Sequence, residues 1–168
     1  MAKLDSTTIY GDLTVNSNTN TTNLNISSGA TVGRYWKCND TYGGGSWSPI
    51  FETISFACSD ETTALAVGTN VITVRIPYNF LLTTVKASLT TAPVGSNLII
   101  NIKKNGSSIL STNINIDPTH KTSKTSTTQP VISTNTFSDD DEITVDIVQI
   151  GSSTPGTGLK VYLIGHQN

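Results

Sequence analysis

The residues best equipped for chemistry are few and scattered. Asp139, Asp140, Asp141 and Glu142 form the one dense acidic cluster. Consecutive carboxylates offer the oxygen ligands that calcium prefers, but the EF-hand spacing, with its central Gly and distal Glu, is missing. The cluster leads straight into an alternating strand, where Asp side chains cap their own backbone, so it reads as an exposed turn. His120 and His166 stand alone in polar surroundings, without the ligand-spaced partners a zinc site needs. Serines abound, yet none sits in a Gly-x-Ser-x-Gly elbow. Asp60, Glu61, residues 139–142 and Asp146 would serve glycoside cleavage only if the fold brought two carboxylates face to face. Lys103/Lys104 and Lys121/Lys124 read as solvated loop charges. Gly43, Gly44 and Gly45 resemble no phosphate loop, because no Lys-Ser/Thr follows. No cofactor or metal is expected, and the chain does not read as an enzyme.

Aromatic chemistry is concentrated in residues 34–50. Tyr35, Trp36, Tyr42 and Trp47 flank the triple glycine, and they include both tryptophans of the chain. Such faces could stack on the pyranose ring of a glycan. The favoured reading is an interface, in which the aromatics pin the preceding segment against the following domain or a neighbouring chain. The glycines make 34–50 a hinge-like linker.

These residues must be positioned by strands. Ser, Thr and Asn make up more than a third of the 168 residues, and only 13% are charged. β-branched Thr, and Asn and Ser competing for backbone hydrogen bonds, disfavour helices. A net charge of −2 argues against nucleic-acid partners, which need clustered Lys and Arg. No apolar run approaches the about eighteen residues of a membrane span, and the N-terminus lacks a signal-peptide core. The expected origin is a cytoplasm, where Cys38 and Cys58 stay free and half-buried.

From residue 51 alternating segments follow quickly, at 51–58, 70–76, 81–89, 97–103, 107–114, 131–137, 143–150 and 159–164. Asn105-Gly106 between two of them is a strong hairpin signal. The last two strands, joined by a Gly/Ser/Thr/Pro turn, read as a side-by-side closing pair, and a long polar connection spans 117–130. Residues 51–168 are therefore expected to form an antiparallel β-sandwich of about eight strands, jelly-roll-like. Residues 1–33 differ. Asp12-Leu-Thr-Val-Asn-Ser and Asn23-Leu-Asn-Ile-Ser-Ser repeat one short pattern, with Leu13/Val15 and Leu24/Ile26 on one face and Ile9 and Val32 as further apolar contacts. Strands this short need a partner, and three chains side by side would supply one. The arm is expected to be extended and trimer-forming.

Several segments resemble known proteins. Val74-Arg-Ile-Pro-Tyr-Asn-Phe-Leu-Leu-Thr-Thr-Val-Lys-Ala-Ser-Leu89, residues 98–109, 139–147 and 158–165 are similar to C-terminal domains of virion fibre proteins of tailed bacteriophages. The leader Ser6-Thr-Thr-Ile-Tyr-Gly-Asp-Leu-Thr-Val15 resembles fibre anchoring segments. The resemblance implies a homotrimeric virion component made in the host bacterial cytoplasm, with an attachment arm and a jelly-roll knob. No extended shaft separates the two, so a short tail, neck or head fibre fits better than a long one. Other virion proteins of the neck, tail or capsid are the implied partners. A capsid decoration protein and a carbohydrate-binding or carbohydrate-cleaving module are the rival readings.

Overall fold

The structure, a computed structural model, describes residues 34–39, 41 and 45–167. The expected arm contacts Ile9, Leu13, Val15, Leu24, Ile26 and Val32 lie outside the described residues, as does Tyr42. A hairpin comes first: β1 (Arg34–Cys38) and β2 (Gly45–Pro49) pair antiparallel, with Trp36 opposite Trp47. The segment expected as a linker, 34–50, thus contains a paired hairpin. Tyr and Trp favour strands, and a cross-strand aromatic pair stabilises a short ladder against the freedom of nearby glycines.

The sandwich is built from β3 (Glu52–Ala57), β4 (Gly68–Arg75), β5 (Phe80–Ser88), β6 (Leu98–Lys104) and β7 (Ser107–Ser108). It continues through β8 (Leu110–Thr112), β9 (Ile114–Ile116), β10 (Val131–Ile132), β11 (Thr136–Phe137), β12 (Glu142–Gln149) and β13 (Lys160–Gln167). One sheet runs β11-β5-β13-β3; the other runs β4-β12-β6-β7, with β9 also beside β6, while β8 and β10 pair separately. The ladders are antiparallel. With β7 to β9 taken as one run and β10 with β11 as another, eight runs stack as 1-8-3-6 over 2-7-4-5. That order is a jelly roll.

The expected side-by-side closing pair is corrected. β12 lies in one sheet and β13 in the other. Each carries its own inward row, Ile143, Val145 and Ile147 against Val161 and Leu163, all buried. The connection between them is far longer than the two residues of a tight hairpin, so it can cross the sandwich. Expected strands at 107–114 and 131–137 are each broken, because Ile109 and Leu110 both turn inward and the later segment leaves β5 to pair with β8.

Alternation supplies the core. Leu98, Ile100 and Ile102 of β6 face Phe80, Leu82, Val85 and Ala87 of β5 across the sandwich, all buried; each of the larger side chains contributes about 1.5–3 kcal/mol, the Ala87 methyl less. The β5 spacing slips once, from Leu82 to Val85, at a bulge against β13. The bulged Thr83 hydroxyl donates to the Ile164 carbonyl at 2.9 Å. Gly165 sits beside it, where a Cβ would collide with the Leu81 carbonyl and, at 2.8 Å, the Phe80 ring. At Asn105-Gly106 both residues have positive φ, 49° and 83°, as the hairpin signal requires.

Candidate functional site

Strand direction gives the sandwich two unlike ends, about 25–30 Å apart by strand length. β3 enters at Glu52, and β13 finishes at the same end with Gln167. This near end is fastened by Glu52, which accepts from the Tyr78 hydroxyl and from Gln167 Nε2 at 3.0 Å. The Glu52 hydrogen bond and charge, with some burial, push the Tyr78 hydroxyl above its usual pKa. Phe51 stacks edge-on to His166 at 6.0 Å yet is 60% exposed, and Ile50 is also exposed.

The acidic cluster belongs to the same end, and it is a turn. Asp141 Oδ2 accepts from the Ser138 amide at 2.8 Å, and Asp140 adopts φ 66°. Arg75 pairs with Glu142 at 3.1 Å and Lys104 with Asp141 at 3.3 Å. The Ser138 amide, then Asn105 and Lys104, hold the Asp141 carboxyl below the usual range despite some desolvation. Asn105 completes the clasp, giving Nδ2 to Asp141 at 2.6 Å and accepting the Glu142 amide at 2.9 Å. Its role is legible only in part from sequence: Asn-Gly announces the hairpin, not the side chain's second task.

At the far end four connections meet, at 58–67, 89–97, 117–130 and 150–159. Backbone bonds stitch them together: Thr91 pairs with Thr157 and Val94 with Thr154, and the Thr119 amide reaches the Pro93 carbonyl at 2.7 Å. Asp60 Oδ1 accepts from the Thr62 and Thr63 amides at 2.8 and 2.6 Å. Its hydrogen bonds with Thr63 and Thr62 drive its pKa far below the usual value. Glu61 pairs with Lys160 at 2.5 Å and accepts from the Thr90 hydroxyl. Those two partners lower its pKa, Lys160 first.

The polar connection at 117–130 is ordered in the same manner. Asp117 accepts from the Thr127 amide at 2.8 Å and the Ser126 hydroxyl at 3.0 Å. A 3-10 turn at Ser123–Thr125 follows, and the Ser123 hydroxyl oxygen accepts the Ala87 amide of β5 at 2.9 Å. What the far end displays outward is Thr62, Thr63, Ser152, Ser153 and His120, with Val67 and Val94 between them. Hydroxyls on a hydrogen-bonded frame can bind, while the carboxylates beside them, Asp60 and Glu61, are engaged by Thr62, Thr63, Lys160 and Thr90.

Of the sequence-predicted aromatics, the hairpin brings Trp36 and Trp47 together at 5.6 Å, edge to face. The Trp36 ring covers Gly45 so closely that a Cβ there would lie 2.7 Å from it. Tyr35 is 45% exposed and Trp36 40%; Trp47 is half-buried and its Nε1 has no hydrogen-bond partner among the described residues. The acids singled out for glycoside cleavage are not brought together. Asp60 and Glu61 are at the far end and residues 139–142 at the near end. Asp146 lies on the outer face of the second sheet, paired with Lys103 at 2.6 Å. Burial opposes its ionisation, but the Lys103 and Asn70 hydrogen bonds and the Lys103 charge bring its pKa below the usual value. Cys38 is exposed rather than half-buried; Cys58 is half-buried as expected, and both are free.

No protein-family model, curated protein or solved structure matches the chain.

Proposed function

We propose that this chain is a non-enzymatic structural component of a tailed-phage virion: a short homotrimeric fibre held by residues 1–33, with the sandwich as its knob. One observation carries the reading, the polarity of the sandwich. The chain arrives at the end where β3 begins and β13 stops, and four stitched connections lie at the opposite end. A domain mounted from one side and rigidly presenting loops on the other is built for contact at a distance. Exposed Tyr35, Trp36, Ile50 and Phe51, all in the segment that precedes β3, supply apolar area of the kind that neighbouring chains cover. Dispersal of the acids over both ends and one sheet face supports adhesion to a host surface over cleavage of it.

The test is a particle reconstruction combined with truncation. Full-length protein should have three times the 17.8 kDa chain mass, and the far-end loops should point away from the particle. Residues 51–168 should fold yet fail to attach. Attachment without residues 1–33 would overturn the anchoring role. Far-end loops buried in the shell would instead support capsid decoration.

A further inference from the structure

Part of the β5 edge away from β13 has no strand beside it among the described residues. On the side away from β13, the Leu82 amide reaches the Asn135 carbonyl at 2.7 Å and the Leu89 amide reaches the Lys121 carbonyl at 2.9 Å. Between them the Ala87 amide is taken by the Ser123 hydroxyl. Backbone alternation aims the Val85 N–H and C=O to the same side, but β11 pairs only with Leu81 and Phe80. Beyond it residues 131–132 turn to β8. Among the described residues no group meets the Val85 N–H. A groove of about 410 Å³ takes the place of the missing strand, lined by Thr84, Lys86, Lys124, Gln129 and Pro130. It continues past Ile132 towards Asn135.

The charge around this gap is one-sided. Arg75, Lys103, Lys104 and Lys160 each pair with a carboxylate, whereas Lys86, Lys121 and Lys124 form no ion pair among the described residues. Asp117, the one acid of the 117–130 connection, is turned onto Thr127 and Ser126. The groove contains no aromatic face to receive a sugar. A free strand edge with a donor and acceptor on one residue is a template for main-chain pairing, and the surrounding lysines select for acid.

We propose that the open edge of β5 docks an extended acidic segment of a partner protein, which adds as a short strand beside Val85. One residue of that segment takes both Val85 hydrogen bonds, and its flanking carboxylates meet Lys86 and Lys124. The proposal does not depend on the fibre reading.

The test uses the full chain and the peptide acetyl-Glu-Val-Glu-Val-Glu-Val-Glu-amide. Without peptide, the Val85 amide should exchange with solvent far faster than its neighbours Leu82 and Ala87. With peptide, its NMR signal should shift and its exchange should slow. The same peptide methylated on every backbone nitrogen keeps the charge but loses the donors, and should bind at least about tenfold more weakly. Lys86→Glu/Lys124→Glu should weaken binding similarly with an unchanged melting temperature. The proposal is overturned if Val85 is already protected in the free protein, whether by a second copy or its own chain. An unmoved Val85 signal, equal binding of the methylated peptide, or indifference to charge reversal overturns it as well.

Discussion

Gly165 shows how one missing side chain holds a strand pair in register. Its hydrogen faces the Leu81 carbonyl and the Phe80 ring at the β5 bulge, so Gly165→Ala forces apart two central strands. Overpacking of this kind costs about 1–3 kcal/mol, and a lowered midpoint in urea unfolding will measure it. Cys58 is the second informative residue. Burial pushes its thiol up to about 12, so at pH 8 it remains a thiol and a poor nucleophile. It should resist a thiol reagent in the native protein and react fully once urea unfolds it; rapid native labelling would contradict this burial. The sequence announces a half-buried Cys58, but neither the Gly165 contact nor the depth of the Cys58 burial is legible there, since each depends on which atoms a distant strand places against the residue.

At the scale of elements, the β1–β2 hairpin is its own two-stranded sheet. Trp36→Ala should therefore leave sandwich melting unchanged while shifting Trp47 emission to the red, with a loss of about 0.5–1.5 kcal/mol confined to the aromatic pair. A cooperative drop in the sandwich transition would count against this autonomy. The Asn105-Gly106 turn is coupled to the fold more tightly. Gly106 has φ 83° and open space around its Cβ position, so Gly106→Ala introduces conformational strain alone, about 1 kcal/mol, readable as a reduced melting temperature. Alternation identified these strands because one face of each is buried. It misplaced the closing pair because β12 and β13 carry the same period-two pattern whichever sheet they join. The hairpin at 34–50 was hidden for a different reason: three glycines announce freedom, while the Trp36–Trp47 contact that offsets it exists only across the ladder.

For the whole molecule, carboxylates set the response to acid. Asp60, Asp117 and Asp141 all have pKa values lowered below the ordinary 3.8 by amide and side-chain hydrogen bonds. A lowered folded-state pKa contributes stability that is present above the unfolded value and lost as pH falls through the folded one. Melting temperature should thus hold near neutrality and fall once the pH drops below about 4. Asp141→Asn should narrow its gap from the unmodified protein over the same range; a constant gap would show that Asp141 is not the titrating clasp. The amino-acid order alone settles the all-β class, the inward rows such as Leu98, Ile100 and Ile102, and the Asn-Gly turn, since periodicity and local φ preferences act over a few residues. Which sheet each strand joins, how four connections are sewn into one far surface, and why the Val85 N–H meets no group among the described residues are decided by tertiary structure. Those outcomes depend on layer crossing, on how far β11 pairs along β5 and on side chains such as Ser123 and Asp117 bonding segments that are remote or merely bent back, and no window of sequence contains both partners.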